Sequence, residues 1–128
     1  GAVVRWAKFD PATGDLPTSR ISELLNDKTR LVAVTGAGNA LGTRPNIHEI
    51  SKEVHKTSAL LYVDGVHLSP HTSIDMKVMG ADFFGLSFYK IFGPHCAAIA
   101  ADPALLKTLN NDKLLPATNN PQWCAIHP

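Results

Sequence analysis

Residues 60–95 read LLYVDGVHLSPHTSIDMKVMGADFFGLSFYKIFGPH, and this stretch decides the predicted fold. Its two apolar runs, Leu60–Val63 and Phe83–Leu86, are short and uninterrupted, which is typical of strands covered on both faces of a parallel sheet. Between them the sequence predicts a loop and one helical turn at Asp75–Met79. Strands and helices alternate along the chain, which predicts an α/β fold with three layers, a mostly parallel sheet and helices on both of its faces.

Polar side chains follow both apolar runs, at the points where the strands would end. Asp64 follows the first run, and Ser87 follows the second, with Lys90 three residues further on. Ligands of an open parallel sheet bind outside the carboxyl ends of its strands. We therefore predict that a carboxylate, a hydroxyl and an amine converge at one edge of the sheet.

The rest of the chain supplies the flanking elements of this sheet. Thr18 or Ser19 is expected to cap the first helix. Residues 1–110 are predicted to form one domain, and the polar, proline-containing residues 111–128 an irregular C-terminal tail. The predicted strands are Ala2–Phe9, Leu31–Thr35, Leu60–Val63, Asp82–Leu86 and Ala97–Ala101, and the main helices are 18–26, Ile47–His55 and Pro103–Leu109.

Composition excludes several classes of protein. The net charge is +1 and the basic residues are scattered, which indicates neither a nucleic-acid partner nor binding to an acidic membrane surface. The longest apolar runs are far below the roughly 18 residues that span a bilayer. The two cysteines, Cys96 and Cys124, match neither a disulfide framework nor a metal site, and Cys96 is expected in the core. We predict a cytoplasmic location, and we expect both chain ends to be cut from a longer polypeptide.

A glycine-rich loop at residues 36–43, GAGNALGT, is similar to a dinucleotide-binding fingerprint. Its first two glycines match G-x-G-x-x-G, but Leu41 stands where the third glycine belongs. The fingerprint glycines must open a helix that holds the pyrophosphate, and Pro45 would then lie inside that helix at a cost of about 3 kcal/mol. We therefore favour a loop that presents Asn39 to the sheet edge, and a Rossmann-type NAD(P)-binding module is the alternative.

Asp64 and Lys90 together predict a specific chemistry. Lys90 lies in SFYKIFGPH, where aromatic neighbours would bury its stem and favour a nucleophilic amine that attacks a carbonyl. Pyridoxal phosphate needs such a lysine for a Schiff base, and it needs a carboxylate to keep the pyridine nitrogen protonated. Asp64 ends the strand beside the lysine segment and is the candidate for that carboxylate. We therefore predict pyridoxal 5'-phosphate as the cofactor and no metal.

The same segments resemble the cysteine desulfurase-like group of class V aminotransferase-fold enzymes, which belong to fold type I of the pyridoxal-phosphate enzymes. That group carries VDGxQxxPH, then a strand with S-x-x-K and x-x-GP; here the segments read VDGVHLSPH and SFYKIFGPH, with Lys90 26 residues after Asp64. TRLVAVTGAGNALGT, residues 29–43, is similar to the group's strand and S-N-x-L-G-T loop. The resemblance covers nearly all of residues 2–110 and implies the central part of a large cofactor-binding domain.

The resemblance also implies a role for each matching residue. Lys90 resembles the catalytic Schiff-base lysine, Asp64 the partner of the pyridinium nitrogen, and Ser87 the hydroxyl that binds the cofactor phosphate. Asn39 resembles the amide near the phenolic oxygen of the cofactor. His67 stands where the group usually has Gln, which bonds the same oxygen, so a titrating side chain replaces a neutral one.

Departures from the group's pattern limit what the resemblance implies about activity. Tyr89 replaces the usual His before the lysine, and Gly38 replaces the usual Ser before Asn39, which indicates a divergent subfamily. The resemblance implies that the group's phosphate loop, substrate arginine and desulfurase cysteine lie outside this chain. We therefore expect a segment of an enzyme that acts on an amino acid, homodimeric at full length, with the fragment nearly inactive. The other interpretation is a non-catalytic truncated fragment.

Overall fold

Four strands form one mixed sheet in the structure, a computed structural model that describes residues 1–109. They lie in the order β1-β2-β3-β4. The first three run parallel to one another, and β4 runs antiparallel to β3. This mostly parallel sheet with helices confirms the predicted α/β fold class as a partial large domain, and the bounds of the four strands agree with the predicted bounds to within one residue. The strands are β1 Leu31–Thr35, β2 Leu60–Asp64, β3 Phe83–Ser87 and β4 Ala97–Ala101.

Short helices connect the strands. Helix α2 begins where Asn46 caps it, because the Asn46 side chain accepts a hydrogen bond from the backbone N–H of Glu49 at 3.2 Å. Asp75 caps α3 in the same way, through two backbone N–H groups. The helices of the described residues are α1 Thr18–Ser22, α2 Ile47–Val54, α3 Met76–Met79 and α4 Pro103–Lys107, with a 3-10 helix at Phe88–Ile91.

The core lies between α2 and one face of the sheet, the covered face. Ile50 and Val54 of α2 are fully buried, as the helical spacing predicts, and they belong to the same cluster as the alternate strand residues Val34, Leu61, Val63 and Phe84. The opposite, open face carries the other alternate strand residues, among them Leu31, Thr35, Tyr62, Asp64, Phe83, Gly85, Ser87 and Ile99. Leu31 and Ile99 remain 54% and 60% exposed, so the described residues leave much of this face to solvent.

The predicted strand at Ala2–Phe9 is wrong. Residues 1–9 form no strand, and the side chains of Val3 and Trp6 are 85% and 82% exposed. A strand satisfies its backbone groups only by pairing, and no strand within residues 1–109 pairs with this segment. The local composition favours a strand, but no strand of residues 1–109 lies beside this segment to pair with it.

The first helix is shorter than predicted. It ends at Ser22 rather than near Asn26, and Pro17 rather than Thr18 or Ser19 occupies the capping position, without a side-chain hydrogen bond. Beyond Ser22 the chain continues in single turns, in which the N–H of Leu24 bonds the carbonyl of Ile21. These three-residue bonds replace the four-residue bonds of an α-helix.

Two predictions near the end of the described residues also need correction. Cys96 is exposed rather than in the core, because it lies in the turn before β4, where its N–H bonds the carbonyl of Pro94. Helix α4 ends at Lys107 and not at Leu109. The predicted tail, 111–128, lies outside the described residues. Within residues 1–109, no helix has the length and apolar character needed to cross a membrane.

Candidate cofactor site at the carboxyl edge of the sheet

Polar side chains gather at the edge where the three parallel strands end. The register pairs Thr35 with Asp64, and Asp64 with Gly85. Ser87 lies two residues beyond Gly85 on β3, and residues two apart in a strand share a face. Asp64 and Ser87 therefore lie on the open face at the same edge, and Lys90 lies in the 3-10 helix that directly follows Ser87.

The backbone around Asp64 is fixed by hydrogen bonds on both sides. The carbonyl of Asp64 accepts from the N–H of Gly36 at 2.8 Å, and the N–H of Gly65 donates to the carbonyl of Gly85 at 2.8 Å. The Asp64 side chain accepts from the N–H of Val66 through Oδ1 at 3.0 Å. Its Oδ2 has no hydrogen-bond donor among residues 1–109, so the exposed carboxylate keeps one oxygen for a ligand.

The turn after β2 positions His67. The carbonyl of Gly65 accepts from the N–H of Leu68 at 3.1 Å and from both the N–H and the hydroxyl of Ser69 at 2.8 Å. Leu68 is 6% exposed and anchors the turn in the core. His67 is half-buried, and neither ring nitrogen is hydrogen-bonded within the described part of the chain. The imidazole is therefore free to bond a group at the edge.

The glycine-rich loop packs against this turn and presents Asn39. A Cβ atom at Gly36 would lie 2.9 Å from Cδ2 of Leu68, so the two loops are in close contact. The loop closes on itself, because the N–H of Gly38 donates to the carbonyl of Thr43 at 2.9 Å. Asn39 lies exposed in the turn that this bond closes.

The helix after the glycine-rich loop begins too late for a dinucleotide fingerprint. Helix α2 starts at Ile47, behind its cap Asn46, whereas the last glycine of the loop is Gly42. The loop glycines therefore do not open the helix, which a pyrophosphate site of that kind requires. Pro45 precedes the cap, as the sequence predicts. The late start of α2 therefore disfavours the NAD(P)-binding alternative.

Lys90 is half-buried and lies beside an aromatic ring. Its Nζ atom is 5.1 Å from the ring centroid of Tyr89. The Tyr89 ring stacks in turn on the imidazole of His95, with 5.1 Å between centroids and 8° between planes. Sequence analysis missed this stack, because Gly93 and Pro94 separate the two rings by a turn whose path the sequence does not reveal.

The five predicted site residues thus lie at or just beyond the carboxyl ends of the parallel strands, on different elements. Asp64 and Ser87 share the open face, Lys90 follows Ser87 by one turn, and Asn39 and His67 lie on two loops that pack together. The roles assigned to them stay predictions. An edge of this kind is where open α/β enzymes bind small ligands.

Comparison with known proteins identifies the family. The sequence profile of the aminotransferase class-V family matches residues 1–110, and the chain belongs to this family. It is 42% identical over 107 residues to the aminotransferase-like protein FGM3 of Gibberella zeae, covering 83% of this chain and 27% of that protein. It is 41% identical over 109 residues to the cysteine desulfurase-like protein ustD of Aspergillus flavus, covering 79% of this chain and 24% of that protein.

A solved structure supports the fold. The apo cysteine desulfurase of Thermococcus onnurineus superposes with a TM-score of 0.76 at 23% identity, over 86% of this chain and 28% of that one. The resemblance to cysteine desulfurase-like enzymes is thereby confirmed at the level of family and fold. The chain spans about a quarter of the length of these three proteins.

Proposed function

We propose that the chain is the cofactor-binding part of a pyridoxal-phosphate-dependent enzyme that acts on an amino acid. Members of its family use this cofactor. One observation carries the proposal for this chain: Asp64 and Ser87 lie on the same open face at the carboxyl edge, and Lys90 lies one turn further on.

The chemistry of these residues fits the cofactor. A carboxylate with a free oxygen suits a protonated pyridine nitrogen, a hydroxyl suits a phosphate, and a primary amine suits an aldehyde. The hydroxyl of Ser87 makes no hydrogen bond to residues 1–109, although Ser87 occupies the capping position of the 3-10 helix. Oδ2 of Asp64 and the hydroxyl of Ser87 therefore make no hydrogen bond within residues 1–109 that would compete with the cofactor.

Each residue of this edge has a proposed task. The bound cofactor supplies an electron sink for charge that develops on the substrate. Asp64 would face the pyridine nitrogen and favour its protonated form, Ser87 would bond the phosphate, and Lys90 would supply the primary amine for the aldehyde. Asn39 and His67 would bond the phenolic oxygen and orient the ring.

The substrate class follows from the relatives and not from the edge itself. Two of the proteins named above are a cysteine desulfurase and a cysteine desulfurase-like protein. We propose a desulfurase or lyase relative that acts on an amino acid and works as a homodimer at full length. The described residues supply only part of a cofactor shell, so the chain alone is proposed to be nearly inactive.

Borohydride trapping tests the proposal. The purified chain is incubated with pyridoxal 5'-phosphate, reduced with borohydride, digested and analysed by peptide mass spectrometry. Lys90 should carry most of the label, and Lys90→Arg should lose it. Lys52→Arg, a change on α2 away from the edge, is the matched control and should leave the labelling of Lys90 unchanged. Uniform labelling of all lysines would contradict the proposal.

The same sample discriminates the NAD(P) alternative. Pyridoxal 5'-phosphate should raise the melting temperature of the chain, and the rise should be absent in Lys90→Arg. NAD(P) should have no effect, because helix α2 starts beyond the loop glycines. Stabilisation by NAD(P) alone would favour the nucleotide-binding module.

A further inference from the structure

Two rings and one amine form a compact group just beyond β3. The imidazole of His95 lies almost parallel to the ring of Tyr89, with 8° between their planes and 5.1 Å between centroids. Nζ of Lys90 lies over the same Tyr89 ring at 5.1 Å from its centroid. Such a distance is within the range of a cation–π contact. The Tyr89 ring therefore stacks on the imidazole of His95 and also contacts the amine of Lys90.

The backbone fixes this arrangement by closing the loop that carries it. The N–H of Phe88 donates to the carbonyl of Cys96 at 3.0 Å, and the N–H of Gly93 donates to the carbonyl of Phe88 at 2.8 Å. Phe92 has a φ of 66°, in the left-handed region, which turns the chain back sharply. These contacts return His95 to the side of Tyr89.

We propose that Tyr89, supported by His95, is a positioning residue for the amine of Lys90. A lysine side chain has four rotatable bonds and scans a large volume when its end is free. A ring face beside Nζ restricts that volume, and the stacked imidazole keeps the ring from turning away. The inference rests on the proposed role of Lys90 and adds a residue whose aromatic face, not its hydroxyl, matters.

The contact itself is tested without any cofactor. In a chain with ¹³C-labelled lysine, the ring current of Tyr89 should move the Hε resonances of Lys90 upfield of those of Lys52. The shift should persist in Tyr89→Phe, disappear in Tyr89→Leu and shrink in His95→Ala. Hε resonances of Lys90 that coincide with those of Lys52 in the unaltered chain would overturn the inference.

The consequence for reactivity is tested by trapping. Nζ attacks the aldehyde carbon of pyridoxal 5'-phosphate, water leaves, and hydride from borohydride reduces the resulting C=N bond to a secondary amine. The label on Lys90 is expressed relative to that on Lys52 in the same molecules, from neutral to alkaline pH. The ratio should fall about two- to fivefold in Tyr89→Leu and His95→Ala, the size expected when one long side chain is no longer held in place, and stay unchanged in Tyr89→Phe.

The pH profile separates positioning from other effects. If the amine is no longer held in place, the Lys90-to-Lys52 label ratio falls at every pH, including the alkaline range where the ratio no longer changes. A profile that only moves along the pH axis, with an unchanged plateau, would overturn the inference, as would equal ratios in Tyr89→Phe and Tyr89→Leu. Absence of label on Lys90 in the unaltered chain would overturn the proposed function and this inference with it. His95→Ala gives an independent result if Tyr89→Leu does not fold.

Discussion

The ring of Phe84 on β3 packs directly over the backbone of Gly65, the residue that follows β2. A Cβ atom at Gly65 would lie 1.8 Å from Cζ of Phe84. Phe84 is 3% exposed, so its ring cannot move into solvent. The close approach ties the turn that carries Asp64 and His67 to the neighbouring strand.

Gly65→Ala should therefore destabilise the chain by about 3 kcal/mol, because a methyl group must displace a buried ring. The measurement is the free energy of unfolding in urea. Gly38→Ala is the matched control, since the nearest atom to its Cβ would be Oγ1 of Thr43 at 3.3 Å, and it should cost less than about 1 kcal/mol. Equal stabilities of the two variants would refute the packing argument.

Asp82 joins the start of β3 to β2 through a pair of reciprocal bonds. Its Oδ2 accepts from the N–H of Leu61 at 2.7 Å and lies 2.9 Å from Nε2 of His55, while its own N–H donates to the carbonyl of Leu61. Asp82→Ala leaves the N–H of Leu61 without an acceptor and should cost about 2 kcal/mol. Amide exchange at Leu61 should accelerate.

His55→Ala is the comparison for Asp82→Ala. The His55–Asp82 pair is partly exposed, with 41% of the histidine side chain accessible, so its loss should cost less than about 1 kcal/mol. The two losses of unfolding free energy are measured in the same buffer. If His55→Ala proved the more costly change, the bond to the backbone of Leu61 would not be the main contribution of Asp82.

The cap of α2 is a separate contribution to stability. Asn46 accepts a hydrogen bond from the N–H of Glu49, and its replacement by Ala should cost about 1 kcal/mol of unfolding free energy. Asn46→Asp retains the acceptor and should be within a few tenths of a kcal/mol of the unaltered chain. Equal losses in both variants would show that the cap is not formed.

Asp64→Asn separates the fold from the proposed site. The Asn oxygen can still accept from the N–H of Val66, so the unfolding free energy should change little. The lost negative charge should weaken binding of pyridoxal 5'-phosphate by about tenfold, the range of a hydrogen bond to a charged group. Absorbance titration measures the affinity, and unchanged affinity would remove Asp64 from the proposed site.

Ser87→Ala tests the proposed phosphate contact. The hydroxyl has no partner within residues 1–109, so its removal should leave the unfolding free energy nearly unchanged. Affinity for pyridoxal 5'-phosphate should fall about tenfold, whereas affinity for pyridoxal, which lacks the phosphate, should not. Equal losses for both ligands would indicate that Ser87 does not meet the phosphate.

The isolated chain is expected to be nearly inactive. Turnover of L-cysteine to alanine and sulfide should be negligible even with excess pyridoxal 5'-phosphate, because the described residues supply only one edge of the proposed cofactor shell. The assay measures sulfide release, and a protein-free mixture with the cofactor is the blank. Robust turnover would contradict the proposal that further parts of a longer protein complete the site.

Much of the sheet is determined by local sequence. The bounds of β1 to β4 agree with the predicted strands. A short, uninterrupted apolar run is too short for a long helix and is typically buried as a strand inside a sheet. The start of α2 follows from Asn46, whose side chain satisfies a helix N–H locally. The placement of Asp64 and Ser87 at one edge follows from parallel strands and needs no further information.

Only the tertiary structure decided features that depend on a partner distant in sequence. The segment Ala2–Phe9 has strand-forming residues, but a strand exists only where a second strand pairs with it, and none does within residues 1–109. The contact between Gly65 and Phe84 and the stack of Tyr89 on His95 arise from turns whose backbone path sets which rings meet. Strand and helix preferences depend on residues close in sequence, so the sequence alone indicates them. A contact between a ring and a distant backbone atom, or between two rings, forms only after the intervening turns have folded.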